Sequence, residues 1–120
     1  MASPINDHIR TGQLGESMAQ LYLQEQGYTI LAKNYRYKRA EIDIIAQKDS
    51  LLIFVEVKTR ATDIFGFPEA AVGSRKEKLL LDAAEEFILA HGWEQDIRFD
   101  IVSVTLTNPP AILHFEDAFH

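Results

Sequence analysis

From Leu14 the apolar positions fall at Leu14, Met18, Leu21 and Tyr22, spaced i, i+4, i+7 and i+8, which predicts a helix with one buried face. Gly27 is placed to end that helix in a left-handed conformation, and the first dozen residues read as irregular. The period then changes. Tyr28 to Arg36, Ala40 to Gln47 and Leu51 to Lys58 are short runs rich in β-branched and aromatic residues, hence three strands. Lys48-Asp49-Ser50 is a short polar turn, so the second and third strands should form a hairpin. Arg60 to Val72, with Gly66 and Pro68, reads as a loop. Ser74 with Glu77 matches a capping box, opening a helix that buries Leu79, Leu80, Ala83, Phe87 and Ile88 and closes at Gly92. Ile97 to Leu106 alternates strictly, with Phe99, Ile101 and Ser103 on one face and Arg98, Asp100, Val102 and Val104 on the other. Asn108-Pro109-Pro110 turns the chain into a last strand, Ile112 to Glu116. The order α-β-β-β-α-β-β implies an α/β fold, a mixed sheet flanked by helices.

Composition narrows the setting. A chain of 120 residues with 47% hydrophobic and 25% charged residues is the size and character of one globular domain. With no cysteine, disulfides, thiolate metal sites and a cysteine nucleophile are excluded. No secretory signal or membrane-length apolar run stands out, so a cytoplasmic protein without membrane association is expected. The net charge of −6 argues against coating nucleic acid through a bulk basic field, but the charge is unevenly spread. Residues 1–30 carry −2, residues 31–78 carry +3 and residues 79–120 carry −7. A local basic surface on an acidic body is one reading of this, and a solvated face of mixed charge is the other.

The chemistry centres on the hairpin. Glu56 and Lys58 end a run, Leu51 to Lys58, that looks buried on both faces, where unpaired charge is costly. If the turn is centred between Asp49 and Ser50, facing residues have numbers summing to 99, so Asp43 faces Glu56 and Glu41 faces Lys58. All four then share one side, while Ile42, Ile44, Ala46, Ile53, Val55 and Val57 form an apolar side that should pack on a helix. Glu41 with Lys58 would be an ordinary cross-strand ion pair. Two carboxylates about 5 Å apart at an effective dielectric near 20 repel by roughly 3 kcal/mol, so Asp43 and Glu56 need compensation. A divalent cation supplies it, Mg²⁺ being commonly held by one or two carboxylates, and an ammonium beside it orients or helps deprotonate a bound water. A shared proton or a looser register are the competing explanations.

These residues resemble a known group. Asp43, then Glu56-Val57-Lys58 on the next strand, with Glu16 on a preceding helix, is similar to the PD-(D/E)xK nuclease signature, nearest in layout to Holliday-junction resolvases and RecB-like enzymes. More closely, the chain resembles the YraN-type family of small bacterial proteins, through Gly15-Glu16, Gly27-Tyr28, Asn34-Tyr35-Arg36, Glu41 to Ala46, Phe54 to Arg60, Lys76 and Arg98-Phe99-Asp100. Ile42 stands where the name-giving proline would be, and Ala40 where this family often has glycine. The resemblance implies a restriction-endonuclease-like fold and Mg²⁺- or Mn²⁺-dependent phosphodiester hydrolysis, on DNA and on branched or structured DNA in particular. It makes Asp43 and Glu56 the metal ligands, beside the Val57 carbonyl, Lys58 the residue that positions the attacking water, and Glu16 an indirect or completing member of the catalytic set. The alternatives are a nucleic-acid-binding module of the same fold without cleavage, and a structural protein whose acidic C-terminal third binds a basic partner.

The segment from Lys33 to Arg39 interleaves bases and aromatics, which suits phosphate contact and stacking, though tyrosines on a strand also serve sheet packing. Arg36, Lys38 and Arg39 are its nucleic-acid candidates, joined by Arg60 and by Lys76, which is placed to meet a phosphate or to be a solvated lysine; Thr59 and Arg75 are weaker. One active site cuts one strand, so cutting both would require two copies, whence an expected homodimer. His8, His91, His114 and His120 show no ligand spacing and read as exposed or capping residues. Gly12 to Gly15 reads as a helix-entry turn, and Trp93 as an apolar clamp on the second helix end.

Overall fold

The computed structural model describes the backbone of residues 4–61 and 74–118, and the side chains of residues 10–61 and 76–118. Helix α1 (Pro4–Glu25) leads into strands β1 (Thr29–Tyr37), β2 (Ala40–Lys48) and β3 (Leu51–Arg60). Helix α2 (Ser74–His91) and strands β4 (Asp96–Thr105) and β5 (Ala111–Phe115) follow. The five strands form one mixed sheet in the order β1-β2-β3-β4-β5. Two-residue turns join the antiparallel pairs β1–β2 and β2–β3, and Lys38 (φ 55°) and Asp49 (φ 54°) supply their left-handed positions. Strands β3 and β4 are parallel along their whole lengths, from Leu51↔Asp96 to Arg60↔Thr105. Parallel neighbours need a long crossover, and the segment containing α2 provides it.

Each helix covers one face. Ala19 and Leu23 of α1 pack with Ile44, Ala46, Ile53, Val55, Val102 and Val104. Leu80, Ala83, Ala84 and Phe87 of α2 pack with Ile45, Leu52, Phe54 and Ile101. The Phe54 ring meets Phe87 edge-on and stacks on Phe99 at 5.3 Å. Burial on both faces explains why β2 and β3 read as nearly continuous apolar runs. One apolar residue departs from the expected side: Ile42 lies with Ala40 in the α2 cluster, whereas Ile44 and Ala46 lie in the α1 cluster. Strand β2 therefore changes face at Asp43, opposite a β1 strand whose Asn34 adopts φ 53°.

The N-terminal region also differs from expectation. Helix α1 begins at Pro4, so residues 4–12 are helical rather than irregular, and Gly12 to Gly15 lie inside the helix. Its buried line is Gly15, Ala19 and Leu23; Leu14 and Leu21 are 51% and 60% exposed. Small residues let the helix axis come close to the sheet, and a Cβ added to Gly15 would overlap the Thr59 side chain on β3. At the other end Gly27 (φ 97°) terminates the helix, with Tyr28 N–H donating to the Leu23 carbonyl at 2.9 Å. The predicted capping partner Ser74, and the loop beyond residue 61, lie outside the described side chains. No helix among the described residues is long and apolar enough to cross a membrane.

Asp100 is fully buried on the α1 face. Arg98 grips both its oxygens at 2.8 Å, His114 Nε2 donates to it at 2.7 Å, and the Asp117 N–H adds a third partner at 3.1 Å. The other ring nitrogen, His114 Nδ1, shares a hydrogen bond of 3.0 Å with the Tyr22 hydroxyl. His114 is thus a buried structural link rather than an exposed residue, tying β4, β5 and α1 together. Burial would raise the Asp100 carboxyl, but the bonds from Arg98, His114 and Asp117 outweigh it and hold the acid below its ordinary range. Asp100→Asn leaves the Arg98 charge with only the exposed Glu116 carboxylate at 3.6 Å among the described residues and is expected to destabilise the fold by about 3–5 kcal/mol at pH 7 in urea unfolding. The difference from wild type should shrink as pH falls below about 4, where Asp100 of the unfolded chain takes up a proton that the folded protein resists, and should close once pH passes the lowered folded value.

Candidate active site

The β2–β3 ladder, in the register where facing numbers sum to 99, ends at Ile44↔Val55. Beyond it β3 stays paired to β4 through Arg60, so β2 and β3 part at this point. In a continued ladder the Val57 N–H would go to the main chain of β2; it donates instead to Asp43 Oδ2 at 2.7 Å. Asp43 thereby fills the place of a backbone acceptor at the fork. Glu56 precedes it on β3 with a side chain only 7% exposed. Lys76, in the first turn of α2, donates to Glu56 Oε1, and Lys58 Nζ lies 3.4 Å from the same oxygen. Asp43 and Glu56 face a cleft of about 470 Å³, with Glu16, Glu41 and Arg39 on its walls and Leu79 and Leu80 beneath.

Because the sheet is forked here, side chains from both helix layers reach one space. Glu16 arrives from α1, placed by the close seating of its neighbour Gly15 on Thr59. The left-handed backbone of Asn34 carries its amide to the same wall. Facing two carboxylates, an amide must present its nitrogen, and in that orientation Asn34 donates to Glu41 Oε1 at 2.9 Å and to Glu16 Oε1 at 3.0 Å. Glu41 is completed by Arg36 at 3.0 Å on its other oxygen. The expected Glu41–Lys58 pair does not form: the change of face at Asp43 turns Glu41 toward α1, and Lys58 stays with Glu56.

Charge is therefore compensated from within the chain. Burial, then the neighbouring Glu56, push the Asp43 carboxyl up to about 7, with Glu16 and Glu41 adding to it and the Val57 N–H opposing. Glu16 is raised by burial and by Glu41, against Lys33 and Asn34. Burial lowers the Lys58 ammonium, an effect the Glu56 carboxylate opposes and the Lys76 charge reinforces. Burial would also lower Lys76, but its bond and charge attraction to Glu56 prevail and raise it. Lys58 is thus not claimed by Glu41: it stands with Lys76 at Glu56, and the raised Asp43 carboxyl lessens the repulsion between the two acids.

Glu16, Asp43, Glu56 and Lys58 are thus brought together. Among the nucleic-acid candidates, Arg39 and Lys76 line the cleft. Arg36 flanks it, largely exposed and paired with Glu41. Lys38 lies over the Tyr37 ring and lines a different groove with Asp82, Glu85 and Glu86. Arg60 sits at the end of β3, where its carbonyl accepts the Leu106 N–H, and the Arg75 side chain lies outside the described residues. Asn34 was not singled out as a site residue; its only signal is that asparagine tolerates φ > 0 better than most residues. No trio of His, Asp or Glu side chains among the described residues is arranged as a metal cage. The hard carboxylate oxygens of Asp43 and Glu56 do fit Mg²⁺ or Mn²⁺ in the mode that uses two protein carboxylates and leaves the remaining positions to water and phosphate.

An acid raised by folding binds its proton more tightly in the native state, so it contributes stability at low pH that is lost as pH rises through its folded value. For Asp43 the window runs from about 4 to about 7. In chelator, Asp43→Asn should be more stable than wild type above pH 7, by roughly 2–4 kcal/mol, with the gap closing toward pH 4. Urea unfolding across that range checks it, and a wild type that gains stability from pH 5 to 7 relative to the variant would contradict it.

A family model described as the uncharacterised protein family UPF0102 matches residues 15–104, a span that takes in Glu16, Asp43, Glu56, Lys58 and Lys76. A UPF0102 protein of Flavobacterium psychrophilum is 43% identical over 115 residues, covering 95% of this chain and 97% of that protein. One from Flavobacterium johnsoniae is 42% identical over 119 residues, with 95% and 97% coverage. A third, from Chlorobium chlorochromatii, is 39% identical over 124 aligned positions, with 98% and 96% coverage. With a matching model over most of its length and relatives alike from end to end, the chain belongs to the uncharacterised protein family UPF0102, the YraN-type family.

Proposed function

We propose that this protein has a restriction-endonuclease-like fold and is a metal-dependent endonuclease that hydrolyses phosphodiester bonds of DNA, branched or structured DNA in particular, in the cytoplasm. The observation that carries the reading is the fork of β2 and β3. It sets Asp43 and Glu56 side by side in an open cleft, with Lys58 two residues on and touching Glu56. Asp43 and Glu56 would hold Mg²⁺ or Mn²⁺, which when bound supplies Lewis-acid stabilisation of charge on the scissile phosphate. Lys58, its ammonium lowered by burial, holds the attacking water and shares its proton. Glu16 adds negative charge to the lining of the same cleft. Arg39 and Lys76 at the cleft, with exposed Arg36 beside it, give the phosphate backbone its cationic contacts. Paired cuts would take two copies of the chain on one substrate.

A second reading is favoured by one contact. The Lys76–Glu56 pair already neutralises a carboxylate that an ion would use, as expected of a nucleic-acid-binding module that has the fold without cleavage. Incubation of junction, flap and single-stranded DNA with Mg²⁺ or Mn²⁺ separates the two. Wild type should cleave at least one substrate, and Asp43→Asn and Lys58→Ala should each lose roughly 100-fold or more while still retaining DNA in a gel shift. Retention of DNA with no ion-dependent cleavage across the panel would establish the binding module instead.

A further inference from the structure

We propose that Lys76 is a built-in counter-cation of this site, which competes with a divalent ion for Glu56, sets the ion affinity and swings out when an ion enters. The proposal rests on the metal-dependent reading above. Glu56 is almost wholly buried, and a buried carboxylate needs a positive partner in every state the protein visits. Two ammonium groups answer that need on one oxygen, Glu56 Oε1. They are not equivalent. Lys58 leaves the same strand two residues away, is 23% exposed and has little room to withdraw. Lys76 comes from another layer of the fold, through the first turn of α2, and its side chain is 43% exposed. Its flexible four-carbon stem can carry the ammonium to water by changing rotamer.

A divalent ion would bring twice the charge of the departing ammonium and could be held by both acids, whereas Lys76 bonds to Glu56 and acts on Asp43 through its charge. Exchange also releases Lys76 within the cleft lined by Arg39, where a substrate phosphate would lie. Ion loading would thus free a phosphate contact at the moment it becomes useful, joining the two roles the residue otherwise divides between. The apparent ion affinity of the wild type is reduced by the fraction of molecules in which Lys76 still holds Glu56.

Calorimetric titration of the full chain with Mn²⁺ tests this. Lys76→Met keeps the stem and removes the charge, and should bind Mn²⁺ roughly 10-fold more tightly than wild type, while Lys76→Arg should show no such gain. In wild-type protein with ¹³C-labelled lysine, the Lys76 ε-methylene signals should move on adding Mg²⁺, with the midpoint that calorimetry gives. This second readout does not depend on how well the variants fold. Equal or weaker uptake by a folded Lys76→Met, or unmoved wild-type signals at saturating Mg²⁺, overturns the counter-cation role and leaves the metal-dependent reading standing. No uptake by any of the three proteins sinks that reading, and this proposal with it.

Discussion

The Glu56 carboxylate is buried just past the point where β3 parts from β2 and keeps β4 as its neighbour, and the rest of the site is arranged around the need to keep it neutralised. A charge with no water costs several kcal/mol unless an opposite charge is fixed beside it. The chain provides that charge twice, from Lys58 and Lys76, and removes the competing negative charge by favouring a proton on Asp43. Each of these devices is reversible: an ammonium on a long stem can leave, and a carboxyl that titrates near neutrality can ionise. A site neutralised only by reversible means can exchange those partners for another cation, whereas a clamp of the Arg98–Asp100 kind cannot. There both carboxylate oxygens are gripped by a guanidinium and further fixed by His114 and a backbone N–H, and the result is a structural tie.

Much of this was legible from residues alone because the local signals agreed with the tertiary structure. The Asp49-Ser50 turn set the hairpin register, and the alternation of β4 sorted Ile101 from Val102 and Val104 correctly. What was not legible came from places where a strand departs from its period. Alternation carried Ile42 to the α1 side and Glu41 to Lys58, but β2 turns over at Asp43, and nothing in the run Glu41-Ile42-Asp43-Ile44 announces it. The cause lies elsewhere, in the loss of β3 as a partner beyond Val55 and the left-handed Asn34 on β1. In α1 the largest apolar residues were read as the buried ones. Close approach to the sheet favours small residues at Gly15 and Ala19, so these face inward with Leu23, Met18 and Tyr22 pack partly buried beside them as expected, and Leu14 and Leu21 face outward. His114 escaped notice because its partners are 14 and 92 residues away in sequence.

The departure from regular sheet geometry is also what makes the cleft. In an unbroken sheet Glu56 would face the α2 layer alone, and Glu16, on a helix across the sheet, would be screened from it by backbone. Parting β2 from β3 opens a gap through which the α1 and α2 layers meet, and it frees one N–H, that of Val57, to fix the Asp43 carboxylate in the opening. The parting is stable because β3 loses only one neighbour: its parallel ladder with β4 continues through Arg60 and keeps Glu56 and Lys58 in strand geometry. Hence the acid and the ammonium two residues later stay on one rigid edge, while Asp43 is held across the fork by the hydrogen bond from the Val57 N–H. The geometry of Glu56 with Lys58 is therefore set by the sheet and that of Asp43 by its own carboxylate. A neutral amide at position 43 keeps an acceptor for Val57 but gives up the negative charge, so the fork and the electrostatics of the site are separable properties of one side chain.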